Sequence, residues 1–268
     1  MRRTLHWMAL GLFSAAAILV ILLVLAGVSL RTKRHEAGAP EPVTPRVFMI
    51  RNFLSDIYAA RLGPRVIVFD AGMDPEARAL ELLVDSLGTD LSAVTDIFLT
   101  HGHFDHVAAA RRCPNARIHI GAADADVLAH RTPARAVVPR LFGKLLGVPA
   151  LEASDRLVGV RSVDVGGGES VLAVPLPGHT PGSYAYLFDG VLFTGDALYV
   201  SEGHMALSEP DDAELEHATC DGVSQLGMLF RQNRINQVCT GHRGCTPALD
   251  TSQLLETISL AAKPLCPG

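Results

Sequence analysis

The stretch "LTHGHFDHVAAA", residues 99 to 110, gathers four side chains that can bind a metal ion: His101, His103, Asp105 and His106. It continues the apolar run "VTDIFLT", which predicts a buried strand. His101 and His103 are two residues apart, so an extended backbone points both side chains to one side, while Asp105 and His106 can turn toward a second point. Imidazole and carboxylate donors without a thiolate suit zinc, manganese or iron. We therefore predict a metal site, and this one loop could supply ligands to two ions.

Strands and helices along the chain must position this loop. "RVFMI" and "DIYAARL" predict antiparallel strands, and "VIVFDAG" predicts a buried strand after a tight turn at "GPR". "DPEARALELLVDSLG" has the apolar spacing of a helix, with Asp74 as its N-cap. This β-β-β-α-β order indicates layered α/β packing. The metal-binding loop then lies at the carboxyl end of a strand, where open α/β sheets commonly place their sites.

The motif "THGHFDH" resembles the metal-binding signature of the metallo-β-lactamase fold superfamily. Further motifs of that family are matched in order by "VIVFDAG" with Asp70, "PLPGHTPGS" with His179, "LFTGDAL" with Asp196 and "CTGHRG" with His242. The resemblance runs from residue 66 to residue 244. It implies an α/β fold of the αββα type, a sandwich of two facing mixed sheets with helices outside.

The resemblance also implies a ligand set. One metal ion would be held by His101, His103 and His179, and a second by Asp105, His106 and His242, with Asp196 bridging the two. Asp105 would also orient a hydroxide held between the ions. Asp70 would hold a ligating histidine in place rather than contact a metal; the alternative is that it only caps the following turn. We expect two Zn²⁺ ions per chain, with iron or manganese as alternatives.

A hydroxide between two cations suits hydrolysis, and we predict hydrolysis of a small ester, lactone or thioester. The β-lactamases of the family typically lack the aspartate found here at Asp196. Relatives resembling glyoxalase II continue into a helical extension, whereas only about 24 residues follow Gly244. The alternatives are β-lactam hydrolysis, a persulfide dioxygenase-like reaction at one iron, and a non-catalytic metal-binding accessory protein.

The N-terminal region predicts a single-pass membrane anchor. Residues 7–30 contain no charged side chain, and about 20 apolar residues suffice to span a bilayer. A short tail at 1–6 precedes the anchor, a proline-containing linker at 31–45 follows it, and the catalytic domain occupies 46–268. The short tail favours a signal anchor with the catalytic domain outside the cytoplasm, which in a Gram-negative bacterium would be the periplasm. The alternative is a signal peptide cleaved after Ala26.

Composition narrows the class of partner. The net charge is -5, and the chain has no long run of basic residues. Nucleic-acid binders usually carry a basic surface, so we expect a small-molecule substrate. The sequence carries no signal of oligomeric state.

Two features are left open by the sequence. Cys239 and Cys245 flank His242 and could pair if the domain is exported, while free buried thiols are the alternative. Residues 130–160 should govern substrate choice, and their apolar "LFGKLLGV" favours a core helix. The alternatives are an amphipathic flap over the site or a patch resting on the membrane.

Overall fold

Two facing β-sheets with helices on their outer faces form the domain. The computed structural model describes residues 21–22, 24–29, 31–201, 204–207, 216–246 and 256. The predicted tail at 1–6 and most of the predicted anchor at 7–30 lie outside these residues. In the described part of the chain, no helix is both long and apolar enough to cross a bilayer.

The first sheet carries the metal-binding loop. Its seven strands lie side by side in chain order. Strands one to four are antiparallel and strands four to seven are parallel. They are β1 (Glu41–Pro42), β2 (Val47–Asn52), β3 (Ser55–Leu62), β4 (Arg65–Phe69), β5 (Val94–Phe98), β6 (Arg117–Gly121) and β7 (Asp155–Leu157).

The second sheet has five strands in the order β14-β11-β10-β9-β8, and β14 is parallel to β11 while the other pairs are antiparallel. A separate hairpin pairs β12 with β13. The bounds are β8 (Arg161–Gly166), β9 (Glu169–Pro175), β10 (Tyr184–Phe188), β11 (Val191–Gly195), β12 (Leu198–Ser201), β13 (His204–Leu207) and β14 (Gln237–Thr240).

Besides helical residues at 24–29 and 31–33, the domain contains the helices α1 (Arg78–Ser86), α2 (Phe104–Val107), α3 (Ala125–Leu128), α4 (Val137–Leu146) and α5 (Glu216–Gln232). Helix α1 begins at Arg78, later than the predicted cap at Asp74, because Ala77 has a left-handed backbone (φ 63°). The Asp74 carboxylate still accepts hydrogen bonds from the amides of Glu76 (3.1 Å) and Arg78 (3.4 Å). It therefore closes the turn before the helix instead of capping the helix.

Three layers of buried apolar side chains hold the sandwich together. Aromatic rings from both sheets meet between them, with Phe69 stacked on Phe193 at a centroid distance of 3.9 Å. Helix α1 packs on the outer face of the first sheet, and α5 packs on the outer face of the second. The expected αββα sandwich is confirmed. Burial of these layers supplies the main favourable free energy of folding.

Helix α4 is not the core helix that its apolar sequence favoured. Only Leu146 among its ten residues is buried, and Val137 and Val138 are 63% and 60% exposed. Its glycine at position 143 lies against Phe104 of α2, so the helix rests on the domain by its inner side. The prediction was wrong because apolar spacing cannot show whether another layer covers the helix.

Residues 31–45, predicted as a linker, form hydrogen bonds with the domain. The side-chain amide of Asn52 donates hydrogen bonds to the carbonyls of Arg34 (2.7 Å) and Glu36 (3.1 Å), and the amide of Gly38 donates to Arg51 (2.9 Å). Strand β1 then pairs with β2. An extended segment satisfies the backbone groups of an edge strand without needing apolar side chains.

Candidate metal centre

Seven side chains from four segments of the chain meet at one edge of the sandwich. His101, His103, Asp105 and His106 follow β5, His179 follows β9, Asp196 follows β11, and His242 follows β14. Their ligand atoms form three groups in which all atoms lie within 4.8 Å of one another: His101 with His103 and His179, His101 with His106 and Asp196, and Asp105 with His106 and His242. Every residue named as a ligand from the sequence is thus in this cluster.

The first group consists of three imidazoles. The rings of His101, His103 and His179 meet edge to face, with centroid distances of 4.6 to 4.8 Å. Nε2 of His179 lies 3.0 Å from Nδ1 of His103. Three ring nitrogens that converge from three directions can serve as three corners of a tetrahedral site.

Asp196 lies between this group and the second one. Its Oδ2 is 3.6 Å from Nε2 of His179 and 2.8 Å from Nε2 of His242, while its Oδ1 is 3.3 Å from Nε2 of His106. Oδ2 of Asp105 lies 3.8 Å from Nε2 of both His106 and His242. One carboxylate therefore faces ligand atoms of both groups.

Polar atoms inside the cluster lack partners. Nε2 of His101, Nε2 of His106 and Oδ1 of Asp196 are buried and form no hydrogen bond among the described residues. Burying polar atoms without partners costs free energy, and native proteins rarely do so without a reason. Cations coordinated by these atoms would satisfy all three, so the donor set fits a metal centre.

Hydrogen bonds on the far side of the rings fix which nitrogen faces the cluster. Nδ1 of His106 donates to Oδ2 of Asp70 (2.8 Å). The Thr100 hydroxyl donates to the same oxygen (2.8 Å), so it accepts from Nδ1 of His101 (3.1 Å). Nδ1 of His242 donates to the carbonyl of Leu54. In each case the Nε2 lone pair is left for a metal, which is the usual role of such outer contacts.

The charges in the cluster are strongly coupled. Burial opposes ionisation of Asp196, but the charge of His106 and the hydrogen bond from His242 outweigh it and hold its pKa well below the ordinary value. Burial lowers the pKa of His242, and the Asp196 carboxylate more than reverses this, raising it to about 9. Burial and the neighbouring His106 and His103 hold the pKa of His101 well below its ordinary value, so this ring is neutral. A neutral imidazole is the form that binds a metal.

Two positioning carboxylates were not foreseen. Asp124 is buried and accepts hydrogen bonds from the amides of Gly102 (2.8 Å) and Gly182 (2.9 Å) and the hydroxyl of Thr180 (2.7 Å). It thereby joins the loop that carries His103 to the loop that carries His179. Its segment, "GAADAD", has no spacing or motif that distinguishes it from an exposed turn.

Asp56 has the matching role for the fifth motif. Its carboxylate accepts from the amide of Gly244 (2.5 Å) and from Arg51 (3.2 Å), and its own amide donates to the carbonyl of Gly241 (2.7 Å). The loop that carries His242 is therefore held at both sides. In the sequence, Asp56 stands at the start of a strand, where a polar residue would ordinarily be expected to face solvent.

Gly241 leaves the room that the second group needs. A Cβ atom at this position would lie 2.1 Å from Oδ1 of Asp196 and 2.7 Å from Cε1 of His106. Both contacts are shorter than real Cβ contacts allow, so any side chain here would displace a ligand.

Cys239 and Cys245 form a disulfide that closes the loop around His242. The amide of Thr240 donates to the carbonyl of Gly244 (3.0 Å) inside this loop. Of the two alternatives left open by the sequence, the structure has the paired one. The crosslink limits how far the His242 backbone can move.

Removing this disulfide should weaken both the fold and the second ligand group. A Cys239→Ala, Cys245→Ala variant lacks the crosslink that closes a short loop. Such a crosslink restricts the unfolded chain and thereby stabilises the fold by about 2 kcal/mol. We expect the melting temperature to fall by roughly 4–8 °C and zinc to bind more weakly. Thermal unfolding and zinc titration measure the two effects. Cys113→Ala, which removes a buried free thiol away from this loop, is the control for zinc affinity, and an unchanged melting temperature in the double variant would contradict the prediction.

Comparison with known proteins identifies the family to which this fold and this cluster of ligands belong. A model of the metallo-beta-lactamase superfamily matches residues 51–221. The chain belongs to this superfamily.

Two curated relatives are informative. A hydroxyacylglutathione hydrolase of Fuscovulum blasticum is 32% identical over 196 residues, which are 71% of this chain and 62% of that protein. The uncharacterized protein YobT of Bacillus subtilis is 32% identical over 147 residues, which are 52% of this chain and 59% of that protein. The matched region thus spans about 60% of the length of these relatives.

Solved structures agree on the fold. A metallo-β-lactamase of Cronobacter sakazakii with a HARLDQ motif has a TM-score of 0.68 at 16% identity and covers 88% of this chain and 95% of its own. The subclass B3 metallo-β-lactamase BJP-1 of Bradyrhizobium japonicum has a TM-score of 0.65 with the same identity and coverage. At this level of identity the likeness concerns the fold alone.

Proposed function

We propose that the chain is a dinuclear zinc hydrolase of a small ester, lactone or thioester. The observation that carries the proposal is the position of the Asp196 carboxylate, whose two oxygens face ligand atoms of both groups at 2.8 to 3.6 Å. A carboxylate between two ions offsets their repulsion and sets their spacing. The relative from Fuscovulum blasticum is named as a hydrolase of an acylated glutathione, which supports a thioester among the three substrate classes.

Each ligand has a role in this proposal. His101, His103 and His179 would hold one zinc ion, and Asp105, His106 and His242 the other, with Asp196 shared. When bound, the two ions would supply an acidified water molecule and a Lewis acid for the substrate carbonyl. The donor set contains only nitrogen and oxygen, which suits zinc and also accommodates iron or manganese.

The protein's own side chains would prepare the reaction. Asp70 and Thr100 hold His106 and His101 in the tautomers that expose Nε2. Asp105 would orient the attacking water through its carboxylate and take its proton. These tasks need fixed positions, which the buried hydrogen bonds of Asp56, Asp70 and Asp124 provide before any substrate arrives.

Metal content and substrate range test the proposal together. Protein purified without added metal should contain about two zinc ions per chain and should hydrolyse members of a panel of 4-nitrophenyl esters, lactones, thioesters and β-lactams. A single iron with oxygen consumption would contradict it in favour of a dioxygenase. A clear preference for β-lactams would replace the proposed substrate class with antibiotics.

We further propose that residues 7–30 anchor the chain in a membrane and place the catalytic domain outside the cytoplasm. The uncharged run supports anchoring. The Cys239–Cys245 disulfide, together with a disulfide at Cys220, supports an oxidising compartment.

The anchor should resist washing. A helix held by about 20 apolar residues in a bilayer does not depend on surface charge, so the full chain should remain in the membrane fraction after high-salt and carbonate washes. Residues 36–268 expressed alone should be recovered in the supernatant. Release of the full chain by carbonate would contradict anchoring, and a mature form that begins near Gly27 would show cleavage.

A further inference from the structure

A cavity of about 340 Å³ opens beside the metal centre, between α2, α3 and α4. His103 lines one side of it, while Nδ1 of the same ring faces His179 in the first ligand group. The His103 ring is therefore shared by the cavity wall and the first ligand group. The volume is at the low end of the range for ligand pockets, about 300 to 1,000 Å³.

The floor of the cavity is apolar. Phe104, Val107, Leu128 and Val148 line it, and all four are buried in the domain core. Such a floor favours a hydrocarbon chain or a ring over a polar group, because it offers no hydrogen-bond partner.

The rim of the cavity is basic. Arg140 and Lys144 of α4 both line the opening, and their spacing of four residues places them next to each other on one helix face, where like charges repel. In the described part of the chain neither forms an ion pair. Arg131, also at the rim, is already paired with Asp126 and Glu152. Arg140 and Lys144 are thus two cations that share an opening and have no acidic partner among the residues that the structure describes.

We propose that this cavity, the basic cavity, binds the part of the substrate that combines a short apolar chain or ring with a terminal anionic group. The apolar part lies on the floor, and Arg140 and Lys144 bind the anion at the rim. This inference rests on the proposed function, since it places the reacting carbonyl in the metal centre. It narrows the substrate class to anionic acyl compounds.

A matched pair of esters tests the charge preference. 4-Nitrophenyl hexanoate and the mono-4-nitrophenyl ester of adipic acid have the same six-carbon chain and differ in the terminal carboxylate. The zinc-loaded protein should cleave the adipate with at least about tenfold higher kcat/KM, because charge-assisted contacts form only with that ester. The ratio should fall as salt is raised.

Substitutions at the rim and the floor locate the effect. Arg140→Gln with Lys144→Gln keeps side-chain length and should bring the ratio of the two esters close to one. Ala134→Phe adds a ring at the cavity wall and should lower kcat/KM for both six-carbon esters more than for 4-nitrophenyl acetate. Arg111→Gln and Ala150→Phe change exposed residues outside the cavity. These variants should leave unchanged both the ratio of the two esters and kcat/KM for the six-carbon esters.

A binding measurement gives a readout that does not depend on turnover. 1-Hexanesulfonate carries an apolar chain and an anion that is a weak zinc ligand, so calorimetry with it reports on the basic cavity. Its Kd should be at least about tenfold weaker in the Arg140→Gln, Lys144→Gln variant than in the unsubstituted protein or in Arg111→Gln. Equal Kd values in all three proteins would overturn the inference.

The outcomes separate the two proposals. If the hexanoate ester is hydrolysed at least as fast as the adipate ester, and the ratio of the two rates is the same in the double variant, the proposed role of the basic cavity is wrong. The proposal of a hydrolase is unaffected by that result. Binding of hexanesulfonate that depends on Arg140 and Lys144, with no ester hydrolysed, would support the cavity and overturn the hydrolase.

Discussion

Asp196→Asn should lose most of its second metal ion and more than about 100-fold in kcat. The substitution keeps the shape of the side chain but removes the charge that faces His106, His179 and His242 at 2.8 to 3.6 Å. Without it, two divalent ions repel each other across an amide. Loss of a contact outside the ligand set typically costs about 10 to 100-fold, so loss of a shared ligand should exceed that range.

Asp70→Asn is the matched control. It removes one carboxylate charge from the same buried region, and asparagine tolerates the left-handed backbone at this position (φ 54°). Because Asp70 contacts His106 and Thr100, this variant should lose about 10 to 100-fold in activity and keep more metal than Asp196→Asn.

Three measurements on both variants test whether Asp196 is a shared metal ligand: zinc per chain, melting temperature and ester hydrolysis. If Asp196 serves only as a turn residue after β11, its variant will be less stable with unchanged metal content. An Asp196→Asn protein that keeps two metal ions and near-normal turnover would falsify the dinuclear mechanism.

Removal of metal by a chelator should abolish hydrolysis and lower the melting temperature by roughly 8–16 °C. A ligand at 1,000 times its Kd stabilises a protein by about 4 kcal/mol, and each kcal/mol shifts the melting temperature of a domain of this size by about 2–4 °C. Readdition of zinc should restore both, since the buried hydrogen bonds that fix the ligands do not involve metal. Differential scanning fluorimetry with and without chelator measures the shift, with magnesium readdition as the control; a chelated protein that melts at the same temperature would contradict the prediction.

The size of this shift should grow with pH. In the metal-free protein the pKa of His242 is raised from 6.5 to about 9 by its pairing with Asp196. A histidine with a raised pKa contributes stability that is complete below 6.5 and is lost as the pH rises through about 9. Zinc competes with protons for the same nitrogens and binds better at higher pH. The two melting temperatures should therefore diverge between pH 7 and pH 9, and a constant difference would argue against a protonated His242 in the metal-free state.

The sequence predicted the strands from apolar patterning, and it predicted the full ligand set from the family resemblance. Apolar runs such as "VIVF" form strands wherever both faces are buried, and the motif residues stand directly after those strands. The loop that carries His101 was predicted to bind metal from its own residues, whereas Asp196 and His242 were joined to it by the family resemblance.

What the sequence did not predict depends on contacts between distant segments. Asp124 bonds to Gly182, 58 residues away, and Asp56 bonds to Gly244, 188 residues away; neither pairing leaves a local pattern. Helix α4 has the apolar spacing of a buried helix, and only the structure shows that Val137, Val138 and Leu141 on it are exposed. Its Arg140 and Lys144 lie at the rim of the basic cavity.

Gly241 limits how the sequence of this protein can vary. Because even a methyl group there would collide with Asp196 and His106, position 241 should reject alanine as firmly as position 242 rejects a residue other than histidine, although glycine binds no metal. In a library that samples every amino acid at each site, selection for hydrolysis should return glycine alone at 241. A design that transfers these seven ligands to another scaffold must therefore also transfer the gap beside them.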